Sequence, residues 1–355
     1  MKVMMAGGGT GGHVFPALAV ADELRRRQSS NEVLFVGAEN GIERQVVPAA
    51  GYPLRTLPVV GFQGVNAGGK LRSLSLLPGA VWRSRSILRE FQPDVVFGVG
   101  GYASGPAMLA AALSGRPTVL FEANAEPGLA NRLMAPLVRR AAVTYEETRA
   151  RFGTKAVRTG SPVRPEFFSV PTKKHEPPFS LLIFGGSRGA MAINKAIVYA
   201  LDTLTASGFP LRFTHQTGER DFTAVRTAYA CRGINADVLP FINDMPARFA
   251  AADLIICRSG ASTVAELAAA ARAAILIPFP HATDQHQLRN AEVLARAGAA
   301  RLMEQSALTG ERLADEILAL LTKPAQLVEM ENAVRALAVP DAAARIADLI
   351  ESVTR

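Results

Sequence analysis

The sequence predicts an α/β protein of two domains, each built on a parallel sheet, and three observations carry that reading. Its 355 residues are 49% apolar, enough chain and enough hydrocarbon for two cores. Short apolar runs alternate with longer segments of helical period, the pattern of βαβ units. A strand, glycine turn and helix at residues 2–27 return in the same order at residues 180–205.

Charge and composition exclude several classes. No apolar run is long enough to span a bilayer, and Met1–Ala6 enters a glycine loop without a secretory pattern. Cys231 and Cys257 lack metal-ligand spacing, which predicts a reducing compartment. Residues 1–162 hold 19 Lys and Arg against 11 Asp and Glu, so the whole net charge of +8 lies in the first half. Residues 45–89 contain Arg55, Lys70, Arg72, Arg83, Arg85 and Arg89 and no acid. Such a cluster points to an anionic surface, membrane or nucleic acid.

In order, Lys2–Ala6 is the first strand, followed by Gly7-Gly8-Gly9-Thr10-Gly11-Gly12-His13 and a helix to about Arg27. Glycines let the backbone approach a ligand and present N–H groups to it. Gly7, Gly9 and Gly12 also satisfy the dinucleotide fingerprint, but Glu39, the acid near the end of the next strand (Val33–Gly37), sits in a polar turn. His13 at the mouth of the loop is either a packed or capping histidine or a general base. In residues 61–90, Leu71, Leu74, Leu77 and Trp82 interleave with Lys70, Arg72, Arg83 and Arg85. That mixture suits either a crossover helix with a solvated basic face or a segment lying on anionic lipid. Strands are expected at Asp94–Val99, Thr118–Glu122, Ala142–Thr144 and Ala156–Thr159. In an open parallel sheet, ligands bind at the carboxyl ends of the strands, the edge where His13, Tyr102, Glu122 and Asn124 fall.

Pro162, Pro165, Pro171, Pro177 and Pro178 mark a linker, dividing the chain into domains 1–162 and 163–355. The second domain restarts with strand Ser180–Phe184, turn Gly185–Ala190 and helix Ala192–Thr205. Further strands are expected at Leu211–Gln216, Val238–Phe241, Leu254–Cys257 and Ala274–Pro278, then helices, the last packing back over the linker. The richest stretch is Leu254–Asn290. After its strand, Arg258-Ser259-Gly260 breaks the run, and Ser262 or Thr263 can cap an Ala-rich helix. A helix N-terminus favours a phosphate, with Glu266 one turn inside, beside any sugar hydroxyls. Asp284–Gln287 and Asn290 add polar side chains suited to others. An ordinary capped βαβ unit gives the same spacing.

Seven ordered motifs, GGGTGGH, GGYASGP, FEAN, GSPVR, GGSRGA, CRSGASTVAE and DQHQLRNA, resemble the bacterial peptidoglycan N-acetylglucosaminyltransferases over nearly the whole chain. The resemblance implies a GT-B fold, two Rossmann-like domains facing each other across a cleft. It implies an inverting transfer of GlcNAc from UDP-GlcNAc to the MurNAc 4-hydroxyl of undecaprenyl-linked lipid I, giving lipid II. It places the pyrophosphate at Ser187 and the Gly185-Gly186 turn, the uracil on the backbone of Ile242, and the donor phosphates at Arg258, Ala261, Ser262 and Thr263. Glu266 takes the ribose, and His286 and Gln287 the GlcNAc hydroxyls; the family often has paired glutamines where this chain has His286. Arg164 and Asn124 reach the sugar from the other domain, with Asn290 nearby. Thr10, Gly11, Gly12, His13, Tyr102 and Glu122 match acceptor and catalytic positions.

His13 is the first choice of base, its ordinary pKa lying near neutrality; Glu122 is second and needs burial to raise its pKa. With no Asp-x-Asp motif, neither a cofactor nor a metal is expected, and helix N-termini, Ser187 and Arg258 carry the charge of departing UDP. Implied partners are UDP-GlcNAc, lipid I, an anionic membrane surface contacted through residues 61–90, and other cell-wall synthesis proteins. The implied location is peripheral, on the cytoplasmic face of the membrane. Three other functions compete: an NAD-dependent oxidoreductase, a UDP-sugar epimerase of the same architecture, and a nucleic-acid binder. With one Trp and five Tyr the chain lacks the stacking platform of the last, and nucleic acid is not an expected partner.

Overall fold

The structure is a computed structural model that describes residues 1–59, 67–186 and 189–354, with the side chains of residues 67–74 and 283 outside the description. Contacts divide the chain into two units, Met1–Arg164 with Val339–Arg355, and Pro165–Ala338. The boundary lies two residues beyond the position read from the prolines. The C-terminal segment Val339–Arg355, within the second domain by the sequence reading but with its last helix expected to pack back on the N-terminal domain, belongs to the first unit.

The first unit holds β1 (Lys2–Gly7), β2 (Glu32–Ala38), β3 (Leu54–Leu57), β4 (Val95–Gly100), β5 (Thr118–Glu122), β6 (Arg140–Val143) and β7 (Ala156–Arg158). They pair in parallel in the order β3-β2-β1-β4-β5-β6-β7. The order reverses between β1 and β4, which opens a crevice outside the carboxyl ends of those two strands. Every residue of β4 is buried, which is why it reads as a continuous apolar run rather than an alternation. Helices Ala67–Phe91, Ser104–Leu113 and Leu129–Met134 pack in sequence over a shared core that includes Ala80, Leu88, Met108 and Met134. Helix Ala342–Ser352 packs on helix Gly11–Arg27, where Arg27 donates to Asp348 at 2.6 Å and to the Ala344 carbonyl at 2.8 Å.

The second unit holds β8 (Phe179–Phe184), β9 (Leu211–Gln216), β10 (Ala236–Leu239), β11 (Leu254–Cys257), β12 (Ala274–Leu276) and β13 (Arg301–Leu302). This sheet is also parallel, in the order β10-β9-β8-β11-β12-β13, with its switch point between β8 and β11. The two Rossmann-like sheets expected of a GT-B chain are both present. Two edge strands escape sequence reading. β3 is short and half-exposed, and β13 has only two residues, so neither offers an apolar run to detect.

The linker is fastened to the second unit. Asp253, fully buried before β11, accepts from Lys173 Nζ at 2.7 Å, His175 Nδ1 at 3.0 Å and the Ser180 amide at 2.7 Å. His175 Nε2 lies 3.3 Å from Glu331, and the buried Arg272 donates to the carbonyls of Phe249 at 2.8 Å and Pro171 at 2.7 Å. Burial opposes the charge on His175, but Asp253 and Glu331 raise its pKa to about 9.

Candidate active site

In the first unit the glycine loop and the turn after β4 come together. Thr10 precedes helix Gly11–Arg27 without capping it; instead its Oγ1 lies 3.2 Å from His13 Nδ1. The other edge of the imidazole rests on the turn after β4: a Cβ added at Gly100 would stand 3.1 Å from Cδ2 and Nε2. Gly11, Gly12 and His13 are partly exposed in the first turn. Tyr102 packs on the core with its ring edge 4.0 Å from the position of a Gly9 Cβ. Thr10, Gly11, Gly12, His13 and Tyr102 therefore share one edge, at the β1/β4 switch point.

Glu122 has a different setting from that of an accessible base. It is buried, and its carboxylate accepts four hydrogen bonds: the Asn124 amide at 2.9 Å, Asn124 Nδ2 at 3.0 Å, the Gly128 amide at 3.0 Å and Asn131 Nδ2 at 2.8 Å. Burial pushes its pKa up, and those donors pull against the rise. The geometry is that of a clasp holding the loop 124–131, with Asn124 inside it. Arg164 ends the unit with its guanidinium 5.5 Å from the Phe15 ring.

In the second unit β8 runs into Gly185-Gly186; Ser187, expected at the pyrophosphate, lies outside the described residues. Gln216, buried at the end of β9, joins two expected site segments. Its Nε2 donates to the Gly186 carbonyl at 2.9 Å and its Oε1 accepts from the Ile242 amide at 2.8 Å. Ile242, expected to hold the uracil by its backbone, thus has its N–H engaged by Gln216. Sequence reading missed Gln216, although a polar residue ending an apolar strand was the available signal.

Helix Ala261–Ala270 starts bare. Its N-cap is Gly260, no side chain caps it and no acid lies in its first turn. The capping expected of Ser262 or Thr263 is corrected: residues inside the first turn cannot fold back on its own N–H groups. Ala261, Ser262, Thr263 and Glu266 are all partly exposed there. Glu266 stands close enough to Cys257 for its charge to add to the burial that raises the thiol pKa. Arg258 departs from its expected place on the phosphates. It is 8% exposed, and its guanidinium donates to the carbonyls of Ile277 and Pro278 at 3.0 Å each and to Gln305 at 2.7 Å. Burial lowers its pKa to about 10, so it is still a cation at neutral pH, tying the ends of β11 and β12 together. Asn290 is fully buried and donates to the Ser259 carbonyl at 3.2 Å. Gln287 Oε1 accepts from the Phe279 amide at 3.0 Å, and its carbonyl accepts from Ser259 Oγ at 2.7 Å. Between β12 and helix His286–Arg296, Asp284 and Gln285 both take left-handed backbone, φ 52°, just ahead of His286 and Gln287. Among the described residues no group of three or more His, Cys, Asp or Glu side chains is arranged to hold a metal.

Family models divide the chain in a similar way. The glycosyltransferase family 28 N-terminal domain matches residues 3–143, and the C-terminal domain of that family matches residues 180–346. The chain belongs to glycosyltransferase family 28. It is 47% identical over 352 residues, 98% of this chain and 92% of the relative, to a UDP-N-acetylglucosamine--N-acetylmuramyl-(pentapeptide) pyrophosphoryl-undecaprenol N-acetylglucosamine transferase from Myxococcus xanthus. Among solved structures it resembles Acinetobacter baumannii MurG, with TM-score 0.79 and 34% identity over 99% of both chains. A UDP-GlcNAc 2-epimerase from Neisseria meningitidis bound to UDP-GlcNAc gives TM-score 0.70 at 15% identity, over 99% of this chain and all of that one, a likeness of fold alone.

Proposed function

We propose that the protein transfers GlcNAc from UDP-GlcNAc to undecaprenyl-pyrophosphoryl-MurNAc-pentapeptide, converting lipid I to lipid II. The observation that carries the reading is the bare start of helix Ala261–Ala270 beside Glu266, within a chain whose curated relatives are transferases of that specificity. Backbone N–H groups and the positive helix end favour the donor diphosphate, and Glu266 accepts from the ribose hydroxyls. The Gly185-Gly186 turn, Ser187 and Thr263 complete the phosphate contacts, and the Ile242 carbonyl is left for the uracil. His286 and Gln287 meet the GlcNAc hydroxyls, with Arg164 and Asn124 reserved for the sugar. Arg258 and Asn290 act at one remove, by fixing the strand end.

With Nδ1–H donating to Thr10, His13 uses Nε2 to take the proton from the MurNAc 4-hydroxyl. That oxygen bonds to C1 of GlcNAc on the face opposite the leaving diphosphate, so the anomeric centre inverts and UDP departs with the electron pair. Tyr102, Gly11 and Gly12 border the acceptor. The reaction as written needs no cofactor. A transfer assay with radiolabelled UDP-GlcNAc and a short-chain lipid I analogue tests it; turnover of UDP-GlcNAc to its 2-epimer without acceptor would replace the reading with epimerisation. For the donor site, Glu266→Ala is expected to weaken UDP binding by about 1–3 kcal/mol. Calorimetry giving equal affinity for the two proteins would remove Glu266 from the site.

The undecaprenyl chain stays in the bilayer, and no helix among the described residues is long and apolar enough to cross one. The basic and apolar side chains of residues 61–90 support attachment at the cytoplasmic surface through that stretch. Residues 61–66 and the side chains of Lys70, Leu71, Arg72 and Leu74 lie outside the described residues. Within the described part, Trp82 is 75% exposed, Leu77 is half-buried, and Arg83, Arg85 and Arg89 are exposed on the same helix. Leu113 on the neighbouring helix is 72% exposed. Each basic residue near an anionic surface contributes about 1 kcal/mol. Reversing Lys70, Arg72, Arg83 and Arg85 is expected to abolish low-salt sedimentation with anionic vesicles and to leave UDP affinity unchanged. Equal sedimentation of both proteins would reduce the stretch to solvated surface. Contact with other cell-wall synthesis proteins belongs to the same reading, through the shared lipid substrate.

A further inference from the structure

We infer that Glu43, a residue outside every motif above, is a positioning residue for the transfer chemistry, acting through the glycine loop on His13; the inference rests on the base role proposed for that histidine. Glu43 begins helix Glu43–Ala49, yet its side chain turns inward and is 1% exposed. One carboxylate oxygen accepts from the Ala38 amide at 2.7 Å, at the end of β2, and the other from the Gly9 amide at 2.8 Å. The chain is emptied of side chains around it. A Cβ at Gly8 would stand 2.2 Å from Oε1, one at Gly37 2.5 Å from Cγ, and one at Gly41 2.0 Å from Oε2. The glycine loop after β1 and the glycines of the β2–helix connection therefore leave a slot that only this carboxylate fills.

What the slot holds is the base of the catalytic loop. Gly9 is the residue before Thr10, whose hydroxyl meets His13 Nδ1. The Gly8 carbonyl is pressed against the turn after β4, where a Cβ on Gly101 would come within 2.2 Å of it, and Gly100 of that turn supports the imidazole. Moving Gly8 and Gly9 thus shifts both Thr10 and the bed of the His13 ring. A loop of three successive glycines has little rigidity of its own; the Glu43 carboxylate, held on the Ala38 amide, supplies it by accepting from the Gly9 amide. Glu43 touches neither substrate, and its contribution is the placement of Nε2 against the acceptor hydroxyl, where misplacement by about 1 Å costs about a hundredfold in rate.

Glu43→Gln keeps the shape and turns one acceptor into an NH₂ group facing an N–H donor. Expected are a fall in kcat of about 10- to 100-fold, an unchanged KM for UDP-GlcNAc, and unchanged UDP affinity by calorimetry. Glu43→Asp, which keeps the carboxylate but withdraws it by one methylene, is expected to fall between the two and covers the case where the Gln variant folds poorly. Combining Glu43→Gln with His13→Ala separates the inference from the reading beneath it. If Glu43 acts through the imidazole, the double variant is no slower than His13→Ala alone. Losses that multiply would overturn the positioning role while leaving His13 as base, and a His13→Ala enzyme of near-normal rate would overturn the base role itself. Parallel loss of kcat and UDP affinity in both Glu43 variants would mark Glu43 as a structural residue only.

Discussion

His13→Ala is expected to lower kcat by about 10² to 10⁴ while changing the KM for UDP-GlcNAc little. The size is that of general base catalysis by a placed side chain, and the split follows because a base acts in the transition state rather than in donor binding. The donor contacts proposed above come largely from the second unit, whereas His13 and its partner Thr10 belong to the first. Thr10→Ala should reproduce a smaller part of the same loss, since it frees the ring without removing it. If His13→Ala kept most of its turnover, Glu122 would not inherit the role unchanged. Its carboxylate already accepts from Asn124, Gly128 and Asn131 and would have to surrender that clasp to reach a hydroxyl.

The second large effect is on stability. Asp253→Ala is expected to destabilise the protein by about 3–5 kcal/mol, the cost of removing one partner from a buried ion network. It removes the acceptor of Lys173 and of the Ser180 amide and leaves His175 with Glu331 alone. The same network gives an alkaline pH dependence. His175 is raised from 6.5 to about 9 in the folded protein, so its contribution is complete below about pH 6.5 and is lost as the pH climbs through 9. A shift of that size corresponds to about 3 kcal/mol. Urea unfolding at pH 6, 8 and 10 should show the decline in the wild type and a flatter profile in His175→Gln. Parallel profiles for the two proteins would remove His175 as its source.

Much of the fold was legible because parallel strands buried on both faces are apolar runs, and because glycine turns punctuate them. The strands Thr118–Glu122, Leu211–Gln216 and Leu254–Cys257 fall on the residues expected from the sequence. The helix after β11 was legible too, but its cap was not. Ser262 and Thr263 are the right residue types for capping, and only the backbone angles of Gly260 show that the helix has begun before them. In the site, residue type gave away His13 and Glu266, while the partners of Arg258, Asn290 and Glu122 did not show. A guanidinium or amide in a motif looks the same whether it faces a ligand or a carbonyl brought from 20 residues away. Glu43 carried no signal at all. Its meaning lies in the absence of side chains at Gly8, Gly37 and Gly41, and a gap shared between the first glycine loop and the β2–helix connection has no sequence period.

Asp284 and Gln285 hold the loop ahead of Gln287 in two left-handed positions in succession without a glycine; aspartate tolerates that region, but Gln285 does not. A residue such as Gln285 costs on the order of 1–2 kcal/mol there, against a total folding stability of about 5–15 kcal/mol for an ordinary domain. Glycine at either position would relax the loop and raise resistance to heat, yet it would also widen the range of directions in which His286 and Gln287 can point. The loop therefore sits on the fault line between durability and aim. Selection for a hardier protein would push these two positions toward glycine, and selection for a well-directed sugar contact would hold them where they are.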